Sequence, residues 1–275
     1  KNSLNKNIEI VIGGDGMIEL EPNLIFLLQL CSKYKFRTIL ASNGYLINRN
    51  LLFRLHKSGL DSLSFSLDYI TAEKHDKQRG VKNSFSHIIS LIDFVNQHNI
   101  KLGIGINCVI MKSNIDEIIP LAKWCISKNI VINFQAISQP FNTSEEHNWF
   151  KQKKYQHLWP GNQKKVYKLL DDLINLKKQN FKIANSIKQF TAYKNYFKNP
   201  NKNIRKLCNT KRVGLNVYAD GTIKRCVFKK EIGNLNNSKI DDLLNSKKHE
   251  DVNNIMTNCS DNCMHMLNCD YEDEK

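Results

Sequence analysis

No stretch of this sequence approaches eighteen uncharged apolar residues, which argues against a membrane-spanning helix. A secretory leader is lacking too, because residues Lys1 to Asn7 are polar where a basic and then apolar run would be needed. The chain therefore reads as soluble and cytoplasmic. Acidic side chains are in short supply, 26 Asp and Glu against 41 Lys and Arg, which leaves a formal charge of +15. No cysteine precedes Gly13, no low-complexity tract is present, and no internal repeat appears beyond an alternation of strand-like and helix-like segments. The first residue is Lys1 and an apolar β-type stretch follows at once at 8–12, as though the chain were entered in mid-domain; a natural start upstream is expected.

The basic excess invites a nucleic-acid partner, since clustered Lys and Arg gain affinity by releasing phosphate counterions. Here the lysines are scattered among abundant Asn and Ile, which points to compositional bias, and no nucleic-acid or membrane partner is expected. The densest basic run, Lys151 to Lys154 followed by Lys164 and Lys165, borders an expected helix and reads as a solvated face.

What is present is a core-forming composition: 275 residues, 41% hydrophobic, enough for one large domain and an appendage. Short β-rich runs at 8–12, 37–41, 62–67, 102–110 and 131–136 alternate with amphipathic stretches at 23–34, 48–58, 84–98 and 115–127, whose apolar residues recur at three- and four-residue spacing. This order predicts an α/β fold with parallel strands over residues 1–137. Five strands are too few to close an eight-stranded barrel, so the sheet is open or lacks strands at one end. Residues 138–205 form a connector with breaks at Pro140 and Pro160 and one good helix at 163–177. Residues 206–275 make a small Cys-rich α+β module, in which segments 215–218 and 222–228 flank Ala219-Asp220-Gly221, a strong hairpin signal, and short helices follow.

Eight cysteines without a secretory leader argue against a disulfide framework. Cys31, Cys108 and Cys125 stand singly in apolar segments, as buried structural thiols do. Cys208, Cys226, Cys259, Cys263 and Cys269 crowd the last quarter, with the hairpin between the first two and spacings of three and five residues among the last three. Thiolates are soft ligands that suit zinc or an iron–sulfur cluster, and five exceed the four that either needs. His265 is a further candidate ligand. Thiol spacing alone leaves zinc and iron open.

The pattern Cys208-x12-Gly221-x4-Cys226, then Ile232-Gly233-Asn234-Leu235 and the cysteine tail, resembles the auxiliary-cluster domain of radical S-adenosylmethionine (SAM) enzymes, called SPASM with two clusters and twitch with one. The tail departs from the full SPASM pattern, with Cys-x3-Cys first and Asp273 where a further Cys would stand, which implies a single auxiliary 4Fe-4S cluster. The first half is similar to the same family. Gly13-Gly14-Asp15 resembles its GGE motif, which holds the SAM amino group; Ser42-Asn43-Gly44 resembles its TNG step; Ser66-Leu67-Asp68, with His75-Asp76 and Arg79-Gly80, resembles its SLD segment and sequel. Asn107 and Gln135 lie where strand ends face a barrel mouth. A tight Gly-Gly turn, a Ser-x-Asp helix cap and a strand-end amide satisfying local backbone are the ordinary uses of such fragments; their order and spacing carry the resemblance.

The resemblance implies a partial (βα)-barrel, a metal-binding oxidoreductase or maturase that abstracts hydrogen with a 5′-deoxyadenosyl radical, and an electron donor such as flavodoxin or ferredoxin. It implies SAM contacts from Gly13, Gly14, Asp15, Asn43, Ser66, Asp68, Arg79, Asn107 and Gln135, and an auxiliary cluster held by Cys208, Cys226 and two of Cys259, Cys263 and Cys269. The substrate is a peptide, a protein or a small metabolite. The family's catalytic cluster sits in a Cys-x3-Cys-x2-Cys loop after the first barrel strand; this chain has no such loop, so a second 4Fe-4S cluster is expected only with an intact N-terminus, and without it the chain is expected to be inactive. The alternatives are a zinc-stabilised basic binding module and a non-catalytic relative that binds SAM or a peptide.

Overall fold

The computed structural model describes residues 8–13, 22–138, 148–201 and 214–259. They fall into two compact units: Lys1–Ile110 with Asn114–Gln135 and Leu176–Ala184, and Met111–Ser113 with Ala136–Asn175 and Asn185–Lys275.

The first unit follows the expected alternation. Strands β1 (Glu9–Ile12), β2 (Arg37–Ser42), β3 (Ser62–Ser66), β4 (Gly103–Ile110) and β5 (Val131–Ala136) form one parallel sheet in sequence order. Between them run α1 (Leu24–Lys33), α2 (Arg49–Lys57), α3 (Ala72–Arg79), α4 (Ser84–Gln97) and α5 (Ile118–Ser127). Side chains alternate across a strand, so each strand offers one row to each face. One row is mostly apolar: Leu40, Leu63, Phe65, Ile106, Ile132 and Phe134 are buried, joined on β2 by the buried Thr38 and Ser42, and with the buried stripes Leu24, Leu28 and Cys31 of α1 and Ile88, Leu91, Ile92 and Val95 of α4 they form the core. Sequence turns these elements sharply. Asn48 caps α2 by accepting from the Leu51 amide at 2.9 Å, and Gly80, at φ +68°, closes α3 in a conformation that a β-carbon would strain. Beyond β5, Lys182 to Ala184 begin a sixth strand position: the Ile132 amide donates to the Lys182 carbonyl at 3.0 Å, and the Ala184 amide to the Ile132 carbonyl at 2.8 Å.

Two helices depart from the sequence expectation. The α3 segment, AEKHDKQR, has no apolar periodicity, and only His75 is buried in it. Helix α7 (Ile187–Lys198) lies in what reads as connector; its buried face is Phe190, Tyr193, Tyr196 and Phe197, aromatic where most helices are aliphatic.

In the second unit, Trp149 packs edge-on against Tyr155 and Trp159, with ring centroids 5.6 and 5.7 Å apart, and Trp159 meets Tyr196 and Phe197 at 5.5 and 5.4 Å. Helix α6 (Gln163–Lys178) follows this turn. The Cys-rich module is a three-stranded antiparallel sheet of β6 (Asn216–Val217), β7 (Thr222–Lys224) and β8 (Gly233–Asn234), then α8 (Ile240–Leu244) and α9 (Lys247–Thr257). The hairpin forms at Asp220-Gly221 as expected, with the Asp220 carboxylate accepting from the Thr222 amide at 2.9 Å and Gly221 at φ +82°. The returning strand is shorter than 222–228. It ends at Lys224, because the chain turns at Cys226, whose carbonyl accepts from the Lys229 amide at 3.1 Å.

Phe65 lies wholly in the sheet-side core, beside a Gly44 whose β-carbon would stand 2.9 Å from its ring. Phe65→Ala is expected to cost about 3–5 kcal/mol, read as a lowered urea midpoint.

Candidate functional site

The second face of the sheet is built of small and polar residues. Ser62, Ser64 and Ser66 on β3 lie in register with Gly103, Gly105 and Asn107 on β4; Ala41 on β2 lies beside Ser64, and Asn133 and Gln135 continue the row on β5. All but the exposed Gly103 are half-buried. A parallel sheet covered on both faces reads as near-continuous apolar runs. Here alternation leaves one face polar, and polarity increases toward the C-terminal strand ends, where open α/β sheets and barrels bind their ligands. A hydrogen-bonded row crosses three strands on this face: the Asn133 amide donates to Asn107 Oδ1 at 3.1 Å, and Asn107 Nδ2 donates to Ser64 Oγ at 2.9 Å. Among the described residues, neither the Ser66 hydroxyl nor the Gln135 amide is drawn into a side-chain hydrogen bond.

Just beyond β3, Asp68 is 3% exposed, and its groups are matched nearly atom by atom. Arg79 Nη2 donates to Asp68 Oδ2 at 2.7 Å, the Val109 amide donates to Oδ1 at 2.9 Å, and Asn114 Nδ2 donates to the Asp68 carbonyl at 2.9 Å and the Val109 carbonyl at 2.8 Å. The Asp68 amide faces His75 Nδ1 at 3.5 Å. Burial pushes the Asp68 carboxyl above its usual range, against the opposite pull of Arg79 and the Val109 amide. Burial, with Arg79 adding to it, drives His75 down to about 4, so the ring is neutral, and Nδ1 is the acceptor nitrogen. Its Nε2 is buried without a hydrogen-bond partner among the described residues.

A second clasp holds the same loop. Glu117 accepts from the Thr71 amide at 3.0 Å and the Thr71 hydroxyl at 3.1 Å, and pairs with Lys74. Burial raises the Glu117 carboxyl, but Lys74 and Thr71 outweigh it and leave it lowered. The loop from Leu67 to Thr71 is thus fixed at both ends.

The sequence-expected residues divide accordingly. Gly13, Asn43, Ser66, Asp68, Arg79, Asn107 and Gln135 all belong to the first unit; Gly13, Asn43, Ser66, Asp68 and Gln135 stand at or just past strand ends, Asn107 lies within β4, and Arg79 ends α3. Gly13 abuts β2, where a β-carbon would meet that of Ala41 at 3.1 Å. Asn43 is exposed, and its Oδ1 accepts from the Tyr45 amide at 2.9 Å. Asp68 and Arg79 are engaged with each other, and Asn107 sits inside the amide row. Gly14 and Asp15 lie outside the described residues. So do Cys208, Cys263 and Cys269. Cys226 is buried in a small core with Ile223, Ile232, Leu243, Val252 and Met256; Cys259 is half-buried just past α9, its amide donating to the Met256 carbonyl at 3.4 Å. Cys31, Cys108 and Cys125 are buried, and burial raises all three thiols, Cys125 to about 12, as inert structural thiols require. Sequence reasoning passed over Ser64 and Asn133, although Ser62, Ser64 and Ser66 alternating with Leu63 and Phe65 are a readable period-two signal. It also passed over Asn114 and Glu117, which no local pattern marks.

The family described as the Radical SAM superfamily matches residues 2–125. The AdoMet-dependent heme synthase of Methanosarcina barkeri is 28% identical over 116 residues, 42% of this chain and 32% of that protein. The GTP 3′,8-cyclase of Corynebacterium glutamicum is 29% identical over 138 residues, 48% of this chain and 32% of that protein. The chain thus spans about a third of the length of these curated relatives. In fold it is similar to Streptococcus suis SuiB bound to S-adenosylmethionine, with a TM-score of 0.62 at 18% identity over 87% of this chain and 55% of that one. It is also similar to anSMEcpe with bound AdoMet and the Cp18Cys peptide, with a TM-score of 0.65 at 17% identity over 98% of this chain and 76% of that one. Among the described residues, no helix is long and apolar enough to cross a membrane.

Two outcomes are expected from the Asp68 node. The unfolded chain protonates His75 near pH 6.5 and the folded chain only near 4, so stability conferred by the neutral ring is complete above the first value and lost as pH falls toward the second. In His75→Phe the slope of unfolding free energy against pH in that window should fall by about one proton relative to the parent chain, by urea titration. Asn114→Ala removes the amide donor from the buried Asp68 carbonyl and the half-buried Val109 carbonyl, leaving only the long Cys108 thiol contacts, and should cost about 1–3 kcal/mol in the same assay.

Proposed function

We propose that this chain, which carries a radical SAM superfamily domain over residues 2–125, is the SAM-binding barrel segment and auxiliary-cluster module of an enzyme that modifies a peptide or protein. The observation that carries this proposal is the coincidence of the family match with a polar sheet face, which a hydrogen-bonded row crosses and where Ser66 and Gln135 stand at the strand ends, opposite a mostly apolar face. Peptide modification is favoured over a small metabolite because SuiB bound to its precursor peptide SuiA and anSMEcpe with bound peptides share the fold over most of this chain.

The residues present fit the nucleoside. Ser66 and Gln135 offer a hydroxyl and an amide at the strand ends, and Asn107 retains one N–H and one lone pair beyond its place in the row. Such groups suit the hydroxyls, carboxylate and ammonium of SAM. Asp68 and Arg79 neutralise each other, and their part is to hold the loop that follows Ser66. When SAM and a reduced iron–sulfur cluster are bound, the chemistry they supply is hydrogen abstraction by a 5′-deoxyadenosyl radical. The chain's own contribution is to orient the nucleoside and to keep the strand ends dry, by the positioning that protein lends to cofactor chemistry.

The donor set of the second unit suits an iron–sulfur cluster as well. Cys226 and the residue that anchors Cys259, Met256, lie in one small core. Cys208, Cys226 and two of Cys259, Cys263 and Cys269 would complete a four-thiolate set.

Anaerobic reconstitution with iron and sulfide should give a brown protein with about four iron atoms, and the pair Cys208→Ala with Cys226→Ala should lose them; one zinc and no colour, as in a closed thiolate site, would overturn the cluster. By equilibrium dialysis, Ser66→Ala and Gln135→Ala should each weaken SAM binding about tenfold, the worth of a hydrogen bond to a polar ligand. Retained affinity in both would move the nucleoside elsewhere.

A further inference from the structure

The basic excess of this chain is not evenly spread. From Asn148 to Leu170 there are six lysines and no carboxylate, so 23 residues carry +6 of the +15 total. The nearest acidic residues in sequence are Glu145 and Glu146 before this run and Asp171 after it, and Asp171 already pairs with Lys194. Helix α6 shows how such a row holds a carboxylate, because Lys168 meets Asp172 at 2.8 Å one turn on.

The turn that bears the first three lysines is rigid. Trp149, 6% exposed, is wedged between Tyr155 and Trp159, and Phe150 lies against Trp159 with ring centroids 4.7 Å apart and planes tilted by 40°. The ammonium of Lys151 lies over the Phe150 ring at 5.7 Å, and that of Lys154 over Tyr155 at 4.7 Å. Cation–π contact holds both side chains against the aromatic base while the charged ends face water. Lysines on a mobile loop would lose rotamer freedom on binding; these have already lost part of it.

We infer that this aromatic-based turn and the first turns of α6 form a docking surface for an acidic segment of a peptide or protein. The choice of a peptide rests on the proposed function. The surface itself favours that partner over nucleic acid. It contains no arginine, and the ring faces of Phe150 and Tyr155, where a base would stack, are already covered by the ammoniums of Lys151 and Lys154. Lysine ammoniums are point charges that suit carboxylates spaced along an extended chain.

The test uses the full chain with a fluorescein-labelled peptide of alternating glutamate and serine, read by anisotropy, and a single-stranded oligonucleotide of equal charge beside it. Binding of the peptide should weaken about tenfold or more between low and physiological salt, as exposed charge pairs do. It should weaken at least as much, about tenfold, in the triple variant Lys151→Glu, Lys153→Glu and Lys154→Glu, because reversal turns attraction into repulsion. The milder Lys→Gln triple, whose near-ultraviolet tryptophan signal reports an intact turn, should fall between. Peptide binding that is unchanged in a folded variant, or oligonucleotide binding tighter than peptide binding, would overturn the proposal. SAM retention is measured on the same samples: peptide capture without SAM retention defeats the proposed function and leaves the docking surface standing, and SAM retention without peptide capture does the reverse.

Discussion

A carboxylate removed from water must be matched by donors or it will not stay ionised, and at Asp68 that requirement organises the end of the sheet. Its partners come from three places distant in sequence: the last turn of α3, the β4 backbone, and the turn ahead of α5. None of these can shift without stranding a buried polar group, a loss of about 1–3 kcal/mol each. The Glu117 clasp on Thr71 and Lys74 fixes the other end of the same loop. The loop after β3 is therefore as rigid as the strands, which is what a ligand-positioning edge needs.

Two faces of one sheet perform two tasks. Leucine, isoleucine and phenylalanine on one face exclude water and supply the stability; serine, asparagine and glutamine on the other keep unsatisfied hydrogen-bonding capacity at the strand ends. The asymmetry follows from a two-residue period, since every strand contributes to both faces. In the second unit the roles are distributed differently. An aromatic hub stands beside the aliphatic packing there, and it leaves the basic surface of the 149–159 turn mounted on a fixed base.

Most of the first unit was legible in the sequence. Strand and helix positions read from apolar periodicity fall within a few residues of those found, because β-branched runs and amphipathic helices both encode their burial locally. Helix α3 was not legible. Its eight residues carry no apolar stripe, and the helix is held by Asp68, Phe85 and the Gly80 cap instead of by hydrophobic burial. Helix α7 was masked by composition, since Lys and Asn between its aromatics disguise a three- and four-residue spacing that Ser186 caps in the ordinary way. At the site, Asp68 and Arg79 were recognisable as a motif, but their attachment to each other was not, since an ion pair across eleven residues depends on where a helix of no visible periodicity places its end. Asn114 joins the node only through the path of the chain after β4.

The row of amides on the polar face has a direction. Asn133 donates to Asn107, and Asn107 donates to Ser64, so each bond points its hydrogen the same way across the sheet. Ser64 accepts and keeps its own proton for something else; at the far end, the Asn133 carbonyl oxygen retains lone pairs. Aligned dipoles polarise one another, so the serine end of the row is a strengthened donor and the asparagine end a strengthened acceptor. A molecule lying across these strands with an acceptor at one side and a donor at the other would fit in one orientation and be resisted in the opposite one. Three neutral side chains, none bearing a charge, thereby give the sheet a sense of left and right.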